Sequence, residues 1–121
     1  AGTPKEALMD SVAYRPAEPR LVELASGNFI AKTEGQIRGT GYCVESLEAA
    51  LWCFFHTDTL EEAVLRAVNL GEDADTTGAI VGQLAGAYYG AQAIPVRWLE
   101  ALAMRGDIEA LAGKLFKRAR G

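Results

Sequence analysis

The chain is poor in the residues that most often announce a function. It has a single histidine, His56, and only two cysteines. No second histidine, cysteine or carboxylate stands near His56 at metal-ligating spacing, which argues against a zinc centre. Cys43 and Cys53 fall in one helical pattern. At ~1.5 Å rise per residue they sit roughly 15 Å apart, too far for a disulfide. Both are expected to be buried or half-buried thiols in a reducing compartment. No apolar run is long enough to span a bilayer, and the opening residues show no signal-peptide pattern, so the expected compartment is the cytoplasm. A basic excess is missing as well. Twelve Lys and Arg against sixteen Asp and Glu leave a net charge of −4, which makes no electrostatic case for nucleic acid or an anionic membrane. Lys114, Lys117, Arg118 and Arg120 read as the charge pattern of a helix C-terminus. Strand-like alternation and internal repeats are also lacking.

What remains is helical. Half of the 121 residues are hydrophobic and 23% are charged, the balance of one globular domain with a modest core. Residues 4–13 suit a short helix carrying Ala7, Leu8 and Val12, broken by Arg15-Pro16 and Glu18-Pro19. Leu21, Val22 and Leu24 suggest a second, and 28–41 reads mostly as loop. The strongest helix spans about Tyr42 to Phe55. Val44, Leu47, Leu51, Phe54 and Phe55 form its apolar stripe, with Glu45, Glu48 and Ala49 opposite, Trp52 at the core edge and His56 at its end. Thr59 with Glu62 forms a capping box for the next helix, and Glu62 with Arg66 an i,i+4 pair. That helix packs Leu60, Ala63, Val64, Ala67 and Val68 on one face until Gly71 stops it. Pro95 opens a later helix, Gly106 breaks it, and Asp107 caps a last one bearing Ile108, Leu111, Leu115 and Phe116.

The chain turns on Leu70-Gly71-Glu72-Asp73-Ala74-Asp75-Thr76-Thr77-Gly78, a corner between two helical patterns. Asp73, Asp75 and Thr76 supply hard oxygen atoms suited to Mg²⁺, Mn²⁺ or Ca²⁺. Helix capping by an Asp is the commoner use of such residues, and the positive end of a helix disfavours a cation. An EF-hand loop starting at Asp73 is rejected, because its twelfth position, which needs a bidentate Glu, is Leu84. Beyond the corner, Gly78, Gly82, Gly86 and Gly90 recur every four residues. Each glycine inside a helix costs about 1 kcal/mol relative to Ala. The stripe therefore implies close approach by another backbone or a ligand: tight helix packing at Gly86 and Gly90, room for a substrate at Gly78.

The Asp73-Ala74-Asp75-Thr76 run followed by spaced glycines resembles the C-terminal metal motif of the ADP-ribosylglycohydrolase family. The likeness extends back through Leu47-Glu48-Ala49-Ala50-Leu51-Trp52 to Gly39-Thr40-Gly41-Tyr42, and forward to Ile94-Pro95-Val96-Arg97-Trp98-Leu99. It is close over residues 35–105. The resemblance implies an all-α, compact orthogonal helical bundle, with residues 1–121 forming the C-terminal part of a single domain. It implies two Mg²⁺ or Mn²⁺ ions held partly by Asp73, Asp75 and Thr76, with Tyr42 touching ADP-ribose. The family's Ser/Thr-Asp-Asp ligand segment and its acidic catalyst are not in this sequence. Thr57-Asp58-Thr59 is the helix connector rather than that segment. The chain thus holds no catalytic residue and is expected to be inactive alone. The implied reaction is hydrolysis of ADP-ribose from a modified protein or a small acceptor. The expected partners are that substrate and either a missing N-terminal half or a second copy. The glycine stripe and the Val44–Leu51–Phe55 stripe are the faces expected to meet them. The rival reading is a non-catalytic metal- or ADP-ribose-binding relative, or a structural, crystallin-like one.

Overall fold

The structure, a computed structural model, describes residues 3–11, 16–38 and 42–121. Val12, Arg15, Gly39 and Gly41 lie outside these residues. The fold is all-α. Its helices are α1 (Lys5–Leu8), α2 (Pro19–Ala25), α3 (Cys43–Phe55), α4 (Leu60–Asn69), α5 (Ala74–Tyr89), α6 (Val96–Ala101) and α7 (Arg105–Arg120). Short 3-10 turns at Asn28–Ala31 and Glu34–Gln36 occupy much of the stretch expected to be loop. No strand occurs among the described residues.

Local chemistry sets the helix ends. Thr59 accepts a hydrogen bond from the Glu62 N–H at 3.1 Å and so caps α4. The Glu62 carboxylate reaches back to the Asp58 N–H at 3.1 Å, one residue beyond the Thr59 N–H that a capping box would use. At the other end Gly71 adopts φ 87°, a conformation glycine enters without a Cβ clash. His56 terminates α3, and its N–H bonds the Trp52 carbonyl.

The body is formed by α5 packing chiefly on α4 and α3. Small side chains fill its centre. Ala49, Ala50 and Cys53 of α3, Ala63 and Ala67 of α4, and Val81 and Ala85 of α5 are all fully buried. This corrects the expected face of α3. Ala49 points inward, whereas Val44, Leu47, Leu51 and Phe55 are only half-buried. The physical reason is distance: alanines let helix backbones approach closely, and larger side chains there would hold them apart. Leu47 and Leu51 instead line an apolar cleft with Met9, Leu21 and Leu24 beside α2.

Aromatic groups close the body's two sides. The Phe54 ring meets Phe55, Tyr88 and Tyr89 edge-on. The Lys5 ammonium lies 4.3 Å from the Phe54 centroid and donates to the Phe54 and Thr57 carbonyls. Desolvation lowers the Lys5 pKa. Trp52 is more than a core-edge residue. It is buried, stacks on His56, and donates from its indole N–H to the Lys32 carbonyl at 2.9 Å. Arg66 does not form its expected pair with Glu62; its guanidinium lies 4.9 Å from the Trp52 ring and 3.7 Å from Glu34. The two cysteines also part company. Cys53 is buried, and burial pushes its thiol up to about 11. Cys43, at the first position of α3, is exposed, contrary to expectation.

Beyond α6 the chain leaves the body. The last helix begins at Arg105, not at Asp107, and Met104 introduces it with φ 59°. Gly106 lies inside the first turn rather than breaking the chain there. Every residue from 101 to 121 is exposed, including Ile108, Leu111, Leu115 and Phe116. Lys117, Arg118 and Arg120 occupy its last turn, where cations oppose the helix dipole. No helix among the described residues is long and apolar enough to cross a membrane.

Candidate functional site

The corner between α4 and α5 is built from backbone upward. Gly71 and Glu72, with φ 87° and 56°, both take the left-handed conformation and reverse the chain into α5. Asp73 then occupies the N-cap position, but its side chain makes no capping hydrogen bond. The start of α5 is held by Thr77 instead. Thr77 is fully buried, and both its N–H and its hydroxyl donate to the Asp73 carbonyl at 3.1 Å. The capping role open to Asp73 in the sequence is therefore not the one its side chain plays.

A hydrogen bond with the Asp73 carboxyl is the main influence holding the Asp75 carboxyl below its ordinary range, followed by the Thr76 and Asp75 backbone N–H groups. The Thr76 N–H lies 3.0 Å from the Asp75 Oδ1. Asp75 and Thr76 are exposed and Asp73 is half-buried, so the pair faces solvent. Two neighbouring carboxyls, with a hydroxyl on the next residue, are a set of hard oxygen donors of the kind a divalent cation takes. They are also an incomplete one: among the described residues no three His, Cys, Asp or Glu side chains gather at metal-binding distance.

Tyr42 lies apart from the carboxyl pair, on a cleft of about 240 Å³ that also involves Arg20, Lys32, Arg38, Glu45 and Glu48. Tyr42 is half-exposed at the N-cap of α3, and the Arg20 guanidinium lies 5.1 Å from its ring centroid. Lys32 pairs with Glu48 at 3.0 Å. The cleft's link to the corner is Arg38, whose Nε and Nη2 donate to the Glu72 Oε1 at 3.0 and 2.7 Å. That link was not visible in the sequence, where 34 positions separate the partners and no local pattern joins them. Thr77 was also missed, although a threonine one turn into a helix regularly bonds the carbonyl four residues back.

Gly78 lies on the α4 side of α5. A Cβ there would meet the Val68 Cγ1 at 3.1 Å, so helix packing accounts for the missing side chain. At Gly82 and Gly86 a Cβ would meet nothing within 4 Å. Gly90 has left the helix with φ 89°. Within this chain, helix packing is close at Gly78 and open at Gly86, while Gly90, at the helix end, faces the Gln92 side chain.

Comparisons with known proteins converge. The family model for ADP-ribosylglycohydrolase matches residues 3–121. An ADP-ribosylarginine hydrolase of Pseudomonas putida is 43% identical over 107 residues, covering 88% of this chain and 29% of the relative. The ADP-ribosyl-[dinitrogen reductase] glycohydrolase of Rhodospirillum rubrum is 43% identical over 97 residues, covering 80% of this chain and 32% of its own length. A solved structure described as an ADP-ribosylglycohydrolase-related protein complex superposes with a TM-score of 0.79 at 50% identity, over 90% of this chain and 38% of that one. The chain thus spans about a third of the length of these relatives. With the family model matching residues 3–121 of this chain and the all-α fold shared with the solved relative, the chain belongs to the ADP-ribosylglycohydrolase family.

Proposed function

We propose that this chain supplies the C-terminal metal ligands of a divalent-metal-dependent ADP-ribosyl hydrolase. The supporting observation is that Asp73 sits at the N-cap of α5 without capping it, beside Asp75 and Thr76, which face solvent. Asp73 and Asp75 bring negative charge to two Mg²⁺ or Mn²⁺ ions, and Thr76 adds a neutral oxygen. The remaining ligands and the acidic catalyst come from outside these 121 residues. When bound, such cations hold ribose hydroxyls and fix the reacting carbon in place. Tyr42 presents an aromatic face to ADP-ribose on the cleft it shares with Arg20. Gly78, one turn from the ligand candidates, leaves room for the substrate, and its missing Cβ also spares the Val68 side chain.

The similarity to an ADP-ribosylarginine hydrolase favours an N-glycosyl bond to an arginine side chain as the bond broken. Water adds at C1″ of the ribose, the C1″–N bond breaks, and the guanidine nitrogen takes up a proton. The substrate is then an ADP-ribosylated protein. Turnover by the isolated chain is not expected, because it carries no candidate for the catalytic acid. The apolar side chains exposed along α7 support the same reading, since a face of that size is normally buried against the rest of a domain.

The test is Asp75→Ala in the full-length protein, assayed for release of ADP-ribose from an ADP-ribosylarginine substrate. The expected result is loss of hydrolysis and of Mn²⁺ binding with an unchanged melting temperature in metal-free protein, since Asp75 is exposed. Near-normal turnover in that variant would remove Asp75 from the metal site.

A further inference from the structure

We infer that Arg38 is a positioning residue, which holds the Asp73–Asp75 corner in place through its ion pair with Glu72. The inference rests on the metal reading above but invokes a residue outside the ligand set. Its first support is the backbone. The chain enters α5 through two successive left-handed residues, and the second, Glu72 at φ 56°, is not a glycine. Such a conformation persists where surrounding structure enforces it. At Glu72 itself the local backbone contributes the bond from the Ala74 N–H to the Glu72 carbonyl at 3.0 Å, and Thr77 holds only the next residue.

The second support is the side chain. Two guanidinium N–H groups of Arg38 converge on a single Glu72 oxygen. Arg38 directly follows Ile37, which is buried in the core. The pair therefore ties the corner to a fixed point. Both side chains are partly exposed, and an exposed ion pair adds little to global stability. Orientation is what two convergent bonds do supply.

The third support is charge. Glu72, Asp73 and Asp75 put three carboxylates within four residues. Arg38 engages the first of them, Glu72. This gives the inference a sign that simple electrostatics opposes. Removing a cation beside a metal site makes the site more negative and should tighten divalent binding. Losing a positioning contact should weaken it, by about tenfold where a group behind the ligands is removed.

The experiment compares the full-length protein with Arg38→Gln, Glu72→Ala, the double variant and Asp75→Ala, titrating Mn²⁺ by electron paramagnetic resonance. Amide hydrogen exchange at Ala74–Thr77 is followed in metal-free protein. Arg38→Gln should bind Mn²⁺ about tenfold more weakly, melt at an unchanged temperature and exchange faster at Ala74–Thr77 but not at Val81 or Ala85. The double variant should be no weaker than Glu72→Ala, because Arg38 acts through Glu72. Unchanged or tighter Mn²⁺ binding in Arg38→Gln, or a loss additive to that of Glu72→Ala, would overturn the inference. Should Asp75→Ala bind Mn²⁺ normally, the metal reading fails by itself. Exchange then decides about Arg38: faster opening in Arg38→Gln upholds the positioning role and unchanged opening removes it.

Discussion

Helices α5 and α7 are each sixteen residues long, and they meet their surroundings in opposite ways. On α5 the buried residues are Thr77, Val81 and Ala85, and glycines recur along its length. Its neighbours come close because its side chains are small. On α7 the apolar residues are large, and none is buried. Ile108, Leu111, Leu115 and Phe116 would stabilise a packed interface, yet among the described residues nothing covers them. Apolar content alone therefore does not tell which helix forms the core. Hydrophobic stabilisation follows the area removed from water, and only α5 has a surface opposite it.

The contrast can be broken most sharply by exchanging bulk between the two helices. Ala85→Leu should destabilise the chain by about 1–3 kcal/mol, because the extra atoms have nowhere to go between α5 and its neighbours. Leu111→Ser on α7 should change stability by no more than about 0.5 kcal/mol, while reducing any self-association of the chain. Denaturant titration and light scattering read the two effects. Equal destabilisation by both substitutions would show that α7 is packed in solution.

Cysteine titration extends the comparison to a packed and an open site on one helix. Cys53 keeps its proton to a pH of about 11 when folded, against an ordinary value of 9.0. The unfolded chain releases that proton first. The stability due to the buried neutral thiol is thus fully present below about pH 9 and is lost as pH rises towards 11. At pH 8 a thiol reagent should label Cys43 rapidly and Cys53 only on opening of the body. Equal labelling rates would show that α3 is not held against α4 and α5.

The smallest expected effect is on the outer side of α5. Gly86→Ala meets no atom within 4 Å, so it should stabilise this chain by about 0.5–1 kcal/mol through helix propensity. Gly78→Ala should gain less or lose, since its Cβ must displace Val68. Thermal melts of the two variants would rank them. A destabilised Gly86→Ala would mean that this side of α5 is closely covered in solution.

The features legible in the sequence are those set by near neighbours. Thr59 caps α4, Gly71 ends the turn after it, His56 terminates α3, and Pro95 precedes α6. Each follows from hydrogen bonds or backbone preferences within four residues. The run holding Asp73, Asp75 and Thr76 was legible as a candidate site, but that the Asp73 side chain leaves α5 uncapped was not, because capping and metal ligation demand the same residue. Arg66 shows the limit of helix-surface reasoning. Glu62 lies at the right spacing, yet Glu34 and Trp52 from distant segments take the guanidinium.

The sequence by itself determined the all-α class, the order of the helices and the position of the carboxylate corner between α4 and α5. These follow from periodicity, from turn residues and from the adjacency of residues along the chain. Only the tertiary structure decided that Ala49 faces inward while Leu47 and Leu51 look to α2, that Arg38 reaches Glu72, and that Thr77 secures the start of α5. Helix formation is governed by bonds four residues long, which a local pattern can encode. Which face is buried depends on what lies across the gap, and that is set by segments far away in the chain.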